Sequence, residues 1–117
     1  MRLNEITYTN AMPVDGYGPG FFRIGGTAHQ GAIAVLPSGV VPWGGYDDTN
    51  TLLAAKGALD VIFVGTGAEI AQVPPGLRDA LDAAGIGVDV MNSPAACRTY
   101  NILLSEGRRV GLALIPV

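Results

Sequence analysis

The chain has very few residues suited to covalent or metal chemistry. A single cysteine, Cys97, excludes an internal disulfide and any multi-cysteine metal cage. His29 is the only histidine, so a zinc site would have to recruit several carboxylates, an uncommon donor set. Charge is sparse as well. Only 15% of residues are charged, with seven basic against ten acidic and a net charge of −3. Nucleic-acid binding needs a concentrated basic surface to displace counterions, and Arg108–Arg109 is the sole basic dipeptide. Long apolar runs are missing too: Val110–Ile115 and Ala32–Leu36 fall far short of the roughly 20 residues of a membrane-spanning helix. Met1–Glu5 has neither the apolar core of a signal peptide nor the Arg-rich, acid-free character of a transit segment. A soluble protein of a bacterial-type cytoplasm is expected.

What the chain does have is apolar character delivered in short pieces. Hydrophobic residues make up 49% of its 117 positions, enough for one domain, 1–117, with a real core. The first half reads as strands and turns. Glu5–Thr9 predicts a short strand and Met12–Gly20, rich in proline and glycine, a loop. Phe21–Ile24 and Gly31–Leu36 predict two strands joined by Gly25–Gln30, whose glycines supply the turn. Val40–Trp43 predicts a third. These connections are too short for crossovers, so the neighbours should be antiparallel.

The second half changes rhythm. Helices are expected near 50–59, 75–84 and 94–106, alternating with strands near 60–65, 86–91 and 110–115. Pro75 opens one helix, in which Leu77, Leu81 and Ala84 share a face, and Gly85 ends it. Ser93 followed by Pro94 starts the last, the hydroxyl capping an orphan N–H. Strands alternating with helices imply parallel crossovers, and unbroken apolar strands imply burial on both faces. The expected class is therefore α/β, with a mixed sheet and a meander-like N-terminal part.

Candidate chemistry is thin, and each candidate has a structural competitor. Gly65–Thr66–Gly67 follows a buried strand, where α/β proteins often place ligands. Yet position 70, where a dinucleotide fingerprint would want a third glycine, is Ile70, and there is no phosphate-loop lysine. Cys97 lies one turn into the last helix, where the dipole could lower a thiol pKa, but its only histidine base is His29 in a distant glycine-rich turn. A packed cysteine is the simpler reading. Asp47, Asp48, Glu69 and Asp89 have no spacing fixed for acid–base work, and Asp47–Asp48 suits a helix start. Trp43 suits the end of a strand or an interface. Arg98, Tyr100 and Asn101 are the best polar candidates, with Arg98 on a solvated face and Tyr100 packing inward.

In chain order, several segments resemble a known family: Phe21, Arg23 and Ile24; Gly31–Ile33 with Leu36–Pro37; Trp43; Asp60 through Gly67; Arg98–Asn101; and Glu106–Val110. This is the uncharacterised-domain family of small archaeal and bacterial proteins that also contains mitochondrial complex I assembly factor three. The resemblance covers about residues 17–116. It implies a three-layer α/β fold with a central mixed sheet, helices packed on it and additional antiparallel strands. It carries over no catalytic residue and no cofactor. With no complete catalytic set in the chain, a non-enzymatic protein-binding or assembly module is expected, and the resemblance implies that it helps build respiratory complex I, with complex I subunits or another assembly factor as partners.

Two other classes stand beside that reading. One is a small-molecule binder or enzyme using the Gly65–Gly67 turn and the Ser93 helix start. The other is a domain that only associates with itself. Right-handed crossovers should bring Gly65, Thr66 and Gly67 to the same sheet edge as Ser93, Arg98, Tyr100 and Asn101. A shallow surface, open to acidic or carbonyl groups of a protein partner, is expected there.

Overall fold

A computed structural model describes residues 11–117. The strand expected at Glu5–Thr9 lies outside the described residues. The elements are β1 (Val14–Gly18), β2 (Phe21–Ile24), β3 (Thr27–Gln30), β4 (Ile33–Leu36), β5 (Gly39–Pro42), α1 (Thr49–Leu53), β6 (Val61–Thr66), α2 (Pro75–Ala83), β7 (Gly87–Met91), α3 (Ser93–Ser105) and β8 (Val110–Ile115).

Strands β4 to β8 form a five-stranded mixed sheet in the order β5-β4-β8-β6-β7. β6 runs parallel to both β7 and β8, while β4 runs antiparallel to β5 and β8. The last strand is therefore central. Leu112 lies opposite Val35 on one side and Phe63 on the other, with no exposed surface. The unbroken apolar runs of β4, β6 and β8 follow from this place, because each must be apolar on both faces.

The alternation of side chains along the strands divides the core in two. On one face Ile33, Val35, Phe63, Leu112 and Leu114 pack with Ala96, Cys97 and Tyr100 of α3 and with Phe22 and Ile24. On the other, Ala34, Ile62, Val64 and Ala113 meet Leu52, Leu59, Leu77 and Leu81, together with Trp43. Each fully buried leucine or isoleucine contributes about 1.5–3 kcal/mol. The helices take opposite faces for a topological reason. From β6 to β7 the chain steps outward through α2, and from β7 to β8 it steps back across β6 through α3. Right-handed crossovers in opposite directions put their helices on opposite sides.

Strands β1, β2 and β3 form a separate antiparallel sheet lying with α3. Here two expectations need correcting. The Met12–Gly20 segment is not all loop, since Val14–Gly18 pairs with β2 across a bulge near Asp15. Likewise the link between β2 and β4 contains β3, and the true turn is Gly25–Gly26. Both glycines have positive φ, 55° and 86°, the backbone that a two-residue hairpin joining Ile24 to Thr27 demands. α1 is also shorter than expected, ending at Leu53 well before Gly57, whose φ of 83° is incompatible with a continuing helix.

Candidate functional site

The C-terminal ends of β6, β7 and β8 converge where α3 begins, and the approach is very close. A Cβ on Gly65 would lie 2.6 Å from Ser93 Oγ and 2.8 Å from both Ser93 Cα and Leu114 Cδ2. Glycine at position 65 is what lets the helix start sit directly on the strand.

Ser93 does not cap the helix. Asn92 does, its Oδ1 accepting from the Ala95 N–H at 2.8 Å. The fully buried Ser93 hydroxyl instead donates to the Ile115 carbonyl at 2.6 Å and accepts from the Gly67 N–H at 2.9 Å. The Ser93 N–H returns a bond to the Gly67 carbonyl at 2.8 Å. One serine thus ties together the ends of β6, α3 and β8. The physical reason is reach: Asn92 still has extended backbone, so its side chain can fold over the first turn, whereas Ser93 already belongs to it. An Asn directly before Ser-Pro was the available signal for this cap.

Thr66 is engaged in the same way. Its hydroxyl donates to the Glu69 carbonyl at 2.7 Å and accepts from the Ala71 N–H at 3.0 Å, folding the loop after β6 back on itself. Further along α3, Tyr100 is fully buried and its hydroxyl donates to the Met12 carbonyl at 2.9 Å. Burial pushes that phenol's pKa well above its ordinary value. Asn101 grips Val14 at both ends of its amide, donating to the carbonyl and accepting from the N–H at 2.8 Å each. The side chain behaves like a strand neighbour of β1. Asn101 was expected to be open to a partner, but its amide is engaged here.

Arg98 differs from these. It is exposed, and among the described residues its guanidinium makes no hydrogen bond or ion pair. Ile102, one turn on and therefore on the same helix face, is 58% exposed. The sequence reasoning did not single out Ile102.

Asp48, Trp43, the Asp60–Arg109 pair and Cys97 are structural in their contacts. Asp48 accepts from the Gly44 N–H, the Thr51 N–H and the Thr51 hydroxyl, capping α1, while the Trp43 indole donates to its carbonyl at 3.0 Å. Those bonds hold its carboxyl below the usual range. Asp60 and Arg109 form an exposed ion pair at 2.8 Å. Cys97 is buried, and no hydrogen bond joins it to His29 among the described residues. Burial pushes its thiol up to about 12, against a smaller downward pull from Arg98.

Alkylation of native Cys97 at neutral pH should accordingly be slow, and Cys97→Ala should shift the melting temperature only modestly. Fast labelling with an apparent pKa below about 8.5 would restore the nucleophile reading. The pH dependence has a definite sign. Cys97 and Tyr100 hold their protons more tightly folded than unfolded, where release begins near 9 and 10. Their contribution to stability is full below those values and is lost as pH rises further.

Beside this joint an open groove of about 460 Å³ is lined by Ala71, Gln72, Val73, Pro75, Arg78, Asp79 and Val90. Among the described residues no helix is long and apolar enough to cross a membrane.

These features define a three-layer α/β protein whose polar groups at the strand ends bind chiefly one another. The chain belongs to the family described as Protein of unknown function (DUF498/DUF598), whose profile matches residues 14–115. An uncharacterised protein of Rhodobacter capsulatus is 46% identical over the whole of this chain and 94% of its own length. NADH dehydrogenase (ubiquinone) 1 alpha subcomplex assembly factor 3 of Homo sapiens is 34% identical over 99% of this chain. The chain spans only about two-thirds of such factors, 67% of the human protein and 61% of the Bos taurus one. Among solved structures, a protein described as an outer membrane protein of Bartonella henselae superposes with a TM-score of 0.83 at 34% identity, covering 92% of this chain and 97% of that one.

Proposed function

We propose that this chain is a non-enzymatic protein-binding module that assists assembly of NADH:ubiquinone oxidoreductase, working in the cytoplasm on its partners. The observation that carries this reading is the kinship with assembly factor 3 across 99% of the chain. The site geometry supports it. Gly67, Ser93 and Thr66, which a small ligand would need, bond to one another and to neighbouring main chain. What α3 offers outward is a cation and an apolar side chain one turn apart, Arg98 and Ile102. Such a pair suits an acidic or carbonyl-rich protein surface with an apolar centre.

Affinity capture of the tagged full chain from its native host tests the proposal. Subunits of the oxidoreductase, or a second assembly factor, should be recovered. Arg98→Glu should lower that recovery by more than about tenfold through like-charge juxtaposition. Melting should be unchanged, since Arg98 bonds to nothing among the described residues. Undiminished capture by the variant would remove Arg98 from the partner surface. Capture of none of these subunits by the wild-type protein would overturn the reading itself.

A further inference from the structure

Every sheet edge is a template for another strand unless something blunts it. At β5 the blunting agent is Pro42, which has no N–H to offer. β1 carries the bulge near Asp15, and β3 is only four residues long. β7, at the far end of the five-stranded sheet, has no proline and no bulge.

The bonding pattern of β7 tells which of its groups are open. The Gly87 N–H donates to Asp60 at 2.8 Å, so in a parallel ladder Gly87, Asp89 and Met91 bond toward β6. The main-chain groups of Val88 and Val90 therefore point away from the sheet. One of the four has a partner: Arg78 Nη1 donates to the Val88 carbonyl at 3.0 Å. The Val88 N–H and both groups of Val90 have none among the described residues.

The side chains beside this edge specify an occupant. Val88 and Val90 lie on the α2 face, and Val90 forms part of the groove of about 460 Å³ with Val73 and Pro75. Asp89 points to the opposite face, exposed, with no hydrogen bond or ion pair among the described residues. A second copy pairing here about a two-fold axis at Asp89 would set two carboxylates directly opposite each other, which disfavours it.

We propose that the β7 edge receives an extended segment of a protein partner, added antiparallel. That segment has apolar residues opposite Val88 and Val90 and a lysine or arginine between them, opposite Asp89. The apolar side chain opposite Val90 enters the groove, the cation meets Asp89, and the three open main-chain groups supply hydrogen bonds. This rests on the protein-binding reading and deepens it by naming the kind of segment bound.

The test uses the purified full chain and a short capped peptide of alternating valine and lysine, followed by NMR amide shifts and hydrogen exchange. Binding should perturb Val88 and Val90 and slow exchange at the Val90 N–H. An alternating valine–glutamate peptide should bind at least about fivefold more weakly, and Asp89→Lys should reverse that order. Val90→Pro removes one open donor and should weaken binding of the lysine peptide. If Val90→Pro fails to fold, the Asp89→Lys reversal carries the test alone. Equal binding of both peptides, or shifts confined to other elements, would overturn the proposal, as would a dimer occupying this edge. Such failure would leave the assembly reading standing, because that is decided by whether the wild-type chain captures subunits of the oxidoreductase in its native host.

Discussion

Leu112→Asp should leave no cooperatively folded protein at room temperature. Leu112 has no exposed surface, and its neighbours on both sides, Val35 and Phe63, are apolar strands of the same sheet. Nothing in that layer can pair a carboxylate, and water cannot reach it. The loss of leucine packing adds a cavity term to the cost of burying the charge. Together these exceed about 4–5 kcal/mol, a large fraction of the roughly 5–15 kcal/mol that holds a domain folded. Circular dichroism with a thermal ramp reads the outcome. A normal, cooperative melt would show that β8 is not the central strand.

Gly65→Ala is the second large effect, and its cause is different. A methyl group there meets the Cα of Ser93 at 2.8 Å, and a helix backbone cannot swing aside as a side chain can. α3 must lift or tilt, stretching the Ser93 bonds to Gly67 and Ile115 together. Overpacking of this kind costs about 1–3 kcal/mol, and each buried hydrogen bond that opens adds about 1 kcal/mol. Gly76→Ala is the control. It lies in α2 with nothing within 4 Å of an added Cβ, so the change should be neutral or mildly stabilising. Comparable melting temperatures for the two variants would show that Gly65 has no special part in seating α3.

Much of this architecture was legible in the sequence for identifiable reasons. The runs Val61–Val64 and Leu112–Ile115 are apolar on both faces, and Pro75 and Pro94 mark where two helices start. The antiparallel pair β4–β5 follows from the two-residue link Pro37–Ser38, too short for a crossover. Strands β1 and β3 were not legible because neither carries a hydrophobic pattern. Val14–Gly18 alternates one buried valine with glycines and exposed side chains, and Thr27–Gln30 is polar or small throughout. β3 is fixed by pairing with β2, and β1 by β2 together with Asn101, whose amide bonds Val14 from 87 positions away along the chain. Long-range side-chain bonds of this sort leave no local periodicity to read.

The candidate site was legible in position more than in chemistry. Gly65–Gly67 and Ser93 do meet at the ends of the parallel strands, as crossover handedness requires. What sequence could not give was the direction of each polar atom. The Ser93 hydroxyl, placed by spacing as a cap, turns to the Ile115 carbonyl because α3 sits so tightly on Gly65. Arg98 was singled out on helix-face grounds, and its guanidinium does face outward without a partner among the described residues. The β7 edge went unnoticed because an open N–H has no signature in residue identity.

The proposed role in assembly is tested most directly by deleting this protein in its native host and resolving NADH:ubiquinone oxidoreductase on a native gel. An assembly role predicts loss of the mature complex, accumulation of smaller subassemblies, and restoration by the wild-type chain but not by Arg98→Glu. A normal amount of mature, active oxidoreductase in the deletion strain would contradict it.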